Sequence, residues 1–208
     1  MSGRRAAPPA PRANIARGVF LLARGKAEGL GQFAPTKQAF LASLAPMLAF
    51  PLVGFLLVLL SSAAPSGPAG PGAIGPLEGF TDLLGTLCAV LAPPVLSFEL
   101  ARRWQREALW LRYATALDWV QWVIPVLISV LLIGVYPLLA ATLSARVALG
   151  LVGLAIVGYA LWLHWFVARH GLMLSPGRAA LLVFLVNLGT ALLAFGPRLL
   201  ALGSGHSG

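Results

Sequence analysis

With 208 residues, 59% of them hydrophobic and only 10% charged, the chain is too apolar to cover a water-facing surface, where about a quarter of residues carry charge. Its mean hydropathy is +0.87 and its net charge +9, yet nucleic acid is not an expected partner, because the arginines flank apolar runs and form no patch on a polar fold. A single cysteine, Cys88, excludes a disulfide framework and a thiolate metal site.

Residues 1–37 are expected to form a cytoplasmic basic tail. Met1 to about Pro11 reads as disordered, and the polar, Gly-rich residues after it lack the compact apolar core of a cleavable signal peptide. Between Ala13 and Phe33, Ile15, Val19, Leu22 and Leu30 share one side of a helix, while Arg17, Arg24 and Glu28 share the other. This pattern predicts an amphipathic helix lying in the membrane plane, weakened by Gly18, Gly25, Gly29 and Gly31. Residues 38–201 then hold five apolar runs, predicted as transmembrane helices over about 39–60, 77–100, 113–139, 146–168 and 178–201. At ~1.5 Å per residue each is longer than the ~30 Å hydrocarbon layer. Between the first two, Ser61 to Pro76 is uncharged and rich in proline and glycine, as expected of an irregular external loop. Pro93 and Pro94 are expected to break and kink the second span, and the third contains Pro125 and Pro137. Residues 202–208 complete the chain as an external tail.

The basic residues alternate between loops. Thirteen of fifteen fall on one side: seven before the first span, then Arg102, Arg103, Arg106 and Arg112, then Arg169 and Arg178. Only Arg146 and Arg198 fall on the other. The fold expected is an all-α, polytopic five-helix membrane bundle with its N-terminus in the cytoplasm and its C-terminus outside. The six loop arginines named above are expected to meet the headgroups of an anionic cytoplasmic leaflet. Trp104, Trp110, Trp119, Trp122, Trp162 and Trp165 gather near the same boundary and read as an aromatic belt.

Polar side chains within the spans need a reason, because hydrocarbon offers them no partner. Read at three-then-four spacing, one inward stripe is expected per span: Gly85, Ala89, Ala92 and Leu96 on the second; Ala114, Asp118 and Gln121 on the third; Gly150, Gly153, Val157 and His164 on the fourth; Ala180, Phe184 and Asn187 on the fifth. Asp118 and His164 lie at similar depth, about five residues from the arginine-rich end, which predicts a hydrogen bond between them, joined by Gln121 and more distantly by Asn187. That cluster could act as a proton relay or a polar substrate contact; the alternative is a solvated helix-start carboxylate and a histidine reaching for the interface. Glu99 is expected to pair with Arg102 and Arg103 along its own helix. Glu78 and Asp82 begin the second span, where a helix N-terminus favours carboxylates. No nucleophile elbow, P-loop, dinucleotide fingerprint or zinc-protease motif occurs, so neither an enzyme nor a cofactor is expected.

The runs SLAPMLAFPLVG, LAPPVLSFELARRW and YATALDWVQWVIPV, from Ser43, Leu91 and Tyr113 onward, resemble a group of alphaproteobacterial polytopic inner-membrane proteins. Some of these look like Yip-type five-span proteins, a likeness that implies a cytosolic N-terminal segment and a tight C-terminal bundle and transfers no functional residue. The expectation is a multi-pass bacterial inner-membrane protein acting as a non-enzymatic scaffold or assembly protein, with lipids and a membrane-protein partner or a second copy as its contacts. The rival is a small transporter or channel subunit with a polar site at Asp118 and His164.

Overall fold

The computed structural model describes residues 14–62 and 76–204, with side chains described over 14–60 and 79–194. The first thirteen residues of the expected basic tail, most of the Pro/Gly-rich loop, the last residues of the C-terminal tail and the Glu78 and Arg198 side chains lie outside that range. Among the described residues the structure is helical, without strands. Helix α1 covers Ile15–Ala23, followed by a 3-10 turn at Ala27–Gln32; α2 is Lys37–Ser62, α3 Pro76–Arg103 and α4 Glu107–Val120. Then come α5 (Val123–Val130), a π-helical turn (Leu131–Val135), α6 (Tyr136–Ala140), α7 (Ala145–Gly171) and α8 (Pro176–Ser204). Five stretches are long and apolar enough to cross a membrane: Lys37–Leu60, Gly79–Arg103, Glu107–Ala140, Ala145–Gly171 and Pro176–Ala194. They match the runs expected from sequence to within a few residues at most ends, although α8 continues to Ser204, into the expected tail.

The third span is the irregular one. It stops being helical at Gln121–Trp122, one turn before Pro125, and slackens into a π-turn before Pro137. Each proline lacks an amide and crowds the carbonyl one turn back, so the ladder must open there. Pro93 and Pro94 behave differently from expectation, because α3 runs through them as one helix. Amides on both sides still close turns, so these prolines remove two hydrogen bonds without ending the helix.

The spans pack tightly at only one end, the arginine-rich one. Residues Tyr113–Asp118 are all buried, so helix α4 is surrounded on every side there. Its Tyr113, Ala116 and Leu117 meet Leu163 and Val167 of α7, Leu182 and Val186 of α8 and Ala101 of α3 in one core. Small residues allow the close approach: a Cβ on Gly189 would sit 2.7 Å from Leu96, and one on Gly171 3.2 Å from Tyr113. Toward the other end burial thins to residues such as Leu83, Ala148 and Val152. None of α5, the π-turn or α6 has a buried residue, and Val126, Ile133 and Leu138 are exposed.

The N-terminal segment belongs to this core. Leu22, Leu30 and Phe33 are buried in it, and the Tyr159 hydroxyl donates to the Ala23 carbonyl at 2.8 Å. The single helix expected over 13–33 is therefore divided, and of its apolar residues Leu22 and Leu30 face protein while Ile15 stays exposed. Gly25 makes the division. It adopts φ +70° beside Trp162, and the Lys26 amide reaches back to Leu21 O. The turns after α3 and α7 repeat this cap with Gln105 (φ 57°) and Met173 (φ 53°) in the left-handed region. A side chain is strained there, so Gln105→Gly and Met173→Gly are each expected to stabilise by roughly 0.5–1 kcal/mol, and Gly25→Ala to destabilise by about as much or more. Thermal unfolding in detergent measures all three.

Two expected stripes are corrected. On α7 the buried residues are Ala148, Val152, Leu163 and Val167, while a Cβ at Gly150 or Gly153 would meet open space. On α8 they are Ala179, Leu182, Val183 and Val186, while Ala180 and Phe184 are exposed. Both helices are apolar around their circumference, so periodicity carried little information about the inward side.

Candidate functional site

Helix α4 and the break after it position the polar residues. Asp118, 4% exposed, accepts a 2.8 Å hydrogen bond at Oδ2 from the Ser43 hydroxyl of α2. His164 instead meets Tyr113: its Nε2 lies 3.1 Å from the tyrosine hydroxyl. The expected Asp118–His164 hydrogen bond is thus absent. The expected pairing rested on depth alone, whereas on α4 Tyr113 is the side chain that reaches α7 and Asp118 reaches α2. The five residues between them turn the helix by ~140° net, which separates the two directions.

Asn187 does join His164, at the long limit of 3.5 Å, from Nδ2 to Nδ1. Its amide also donates to Val183 O at 2.7 Å, which fixes the amide with Nδ2 toward His164. Ser97 stands beside the Tyr113 hydroxyl, receives Trp110 Nε1–H at 3.1 Å and donates to Pro94 O. Hydrogen bonds therefore link α8, α7 and α4 through His164, and α4 and α3 through Trp110 and Ser97, and the Ser43–Asp118 contact ties in α2. Tyr113, Ser43 and Ser97 were missed in the sequence. Tyr113 stood at the expected span boundary, and serines at helical spacing give no signal of their own.

Two cavities lie against this network. The first, a partly open cleft of about 320 Å³, is bounded by α3, α4–α5, α7 and α8 and presents Gln121, His164, Asn187 and Thr190 above the core residues Leu117 and Val186. The second, of about 330 Å³, lies between α2, α3 and the α4–α5 break and presents Asp118 and Gln121. Gln121 and Pro93 line both, so the two are neighbours across one wall. Gln121 joins the group by position, at the cavity walls, and makes no hydrogen bond with Asp118 or His164 among the described residues.

The arginines stay at the periphery. Arg102 and Arg103 pair with Glu99 at 2.9 and 3.2 Å, the spacing-derived expectation. Arg106, Arg112 and Arg178 are exposed, and Arg169 lies over the Trp165 ring at 5.3 Å. Several tryptophans are packing residues as well as boundary residues: Trp110 lies edge-on to Phe40 and Phe98, and Trp162 stacks on Phe166. Among the described residues no three His, Cys, Asp or Glu side chains gather to hold a metal. Compared with family models, curated proteins and solved structures, the chain matches none.

Proposed function

We propose that this is a multi-pass protein of the bacterial inner membrane, N-terminus in the cytoplasm, that admits a small polar solute to the cavity between α3, α4–α5, α7 and α8 and serves as a transporter or channel subunit. The carrying observation is that cavity itself, about 320 Å³ with Gln121, His164, Asn187 and Thr190 on its walls. Residues of this kind are costly in hydrocarbon and are typical of solute pathways. The packed core forms its floor at the arginine-rich end, whereas the opposite half is loosely packed, which supports access from outside. The positive-inside rule supports the orientation. Five spans with an N-terminal segment docked at the basic end support the Yip-type likeness in architecture. The scaffold reading keeps one observation in its favour: α2, α5 and α6 offer exposed apolar faces, such as Leu56, Val126 and Leu138, to lipid or a partner helix.

Thiol labelling distinguishes these readings. In a Cys88→Ala background, Thr190→Cys and Gln121→Cys are expected to react with a membrane-impermeant methanethiosulfonate added outside spheroplasts, at least tenfold faster than the exposed, lipid-side Leu154→Cys. Equal rates for all three would leave the cavity dry and favour the scaffold.

A further inference from the structure

The second cavity is chemically distinct from the first, and its make-up names a ligand class. Its wall carries one carboxylate, Asp118, and no lysine, arginine or histidine. Asp118 Oδ2 is satisfied by a neutral hydroxyl, and among the described residues no hydrogen bond reaches Oδ1. A buried carboxylate without a cationic partner is a functional residue by default in a membrane span.

The same wall adds further acceptors. Ala89 and Val90 line the cavity, and their carbonyls have no amide one turn on, because Pro93 and Pro94 occupy those positions. Carbonyls released in this way supply cation ligands in discontinuous spans. Besides Thr86 and Gln121, the remaining lining, with Met47, Pro125 and Trp122, suits an apolar body. At about 330 Å³ the space is on the order of ten water volumes, at ~30 Å³ each, far more than a bare metal ion fills. A metal ion would also want about six oxygens within ~2.6 Å, which a wall of this size does not converge.

We infer that the cavity between α2, α3 and the α4–α5 break binds a small organic ammonium ion, with the Asp118 carboxylate as counter-charge and the Ala89 and Val90 carbonyls as further acceptors. This rests on the reading of the chain as a solute-binding membrane protein and adds a cation site beside the cavity proposed for the solute. The shared Gln121–Pro93 wall places the ammonium beside the first cavity, so the bound cation sits next to the route proposed above.

The test is calorimetric titration of full-length protein in dodecyl maltoside with n-butylammonium chloride. Saturable binding is expected, with affinity reduced tenfold or more in Asp118→Asn and no binding of sodium 1-butanesulfonate. Met47→Trp keeps the carboxylate and fills the space from α2, so it is expected to abolish binding even where Asp118→Asn folds poorly. Absence of saturable binding to the wild-type protein, unchanged affinity in Asp118→Asn or Met47→Trp, or equal binding of the sulfonate or of sodium alone would each overturn the assignment. Fast labelling of Thr190→Cys alongside a failed titration removes the ammonium and leaves the solute pathway; slow labelling removes the pathway on which the inference rests.

Discussion

Tyr113→Ala is expected to be the most damaging single truncation in the bundle, lowering stability by about 3–5 kcal/mol. The side chain is fully buried on a helix surrounded by its neighbours, it contacts Gly171, and its hydroxyl meets His164. Removing it leaves a cavity at the centre of the one well-packed region and strands the imidazole. Tyr113→Phe keeps the ring and loses only the hydroxyl, so about 1–2 kcal/mol is expected. Denaturation in detergent, followed by tryptophan fluorescence, separates the two variants. Equal, small effects would mean that α4 is not the hub of the fold.

The N-terminal segment provides the second large effect. A Cβ at Gly29 would lie 2.7 Å from the Gly18 carbonyl, and Leu22 is fully buried. Backbone cannot yield as a flexible side chain can, so Gly29→Val is expected to force the Ala27–Gln32 turn off α1 and disorder the segment, and Leu22→Ala to weaken its docking by about 2–4 kcal/mol. A loss of ~3 kcal/mol raises the undocked population about a hundredfold, which trypsin cleavage after Arg24 and Lys26 reports as a matching rise in rate. An in-plane helix resting on lipid predicts the reverse. There Gly29→Val would be tolerated and Leu22→Ala would cost only its transfer energy.

These two residues also show what was readable in the chain. Apolar runs long enough to span a bilayer stand out because hydrocarbon tolerates little else, so all five appear in the structure near their expected limits. The Glu99 pairs followed from spacing on one helix. What failed was direction. Leu22 reads as lipid-facing from its helical pattern alone, yet it is buried in the core, where the left-handed turn at Gly25, beside Trp162, ends α1 and divides the segment. Asp118 and His164 share a depth, but their bearing around α4 depends on packing that uniform apolar faces do not encode. Pro93 and Pro94 were visible as a defect in α3, yet their consequence, two freed carbonyls beside a carboxylate, needed the neighbouring Asp118 in three dimensions.

The side to which the cavity opens is decided by how the chain crosses its membrane. In the Cys88→Ala background, Thr142→Cys lies in the turn between α6 and α7 and Met173→Cys in the turn between α7 and α8, at opposite ends of one span. The impermeant reagent added to intact spheroplasts is predicted to label Thr142→Cys at once and Met173→Cys only after the membrane is permeabilised. Labelling of both positions in intact spheroplasts, or of Met173→Cys alone, would contradict a bundle whose arginine-rich end faces the cytoplasm.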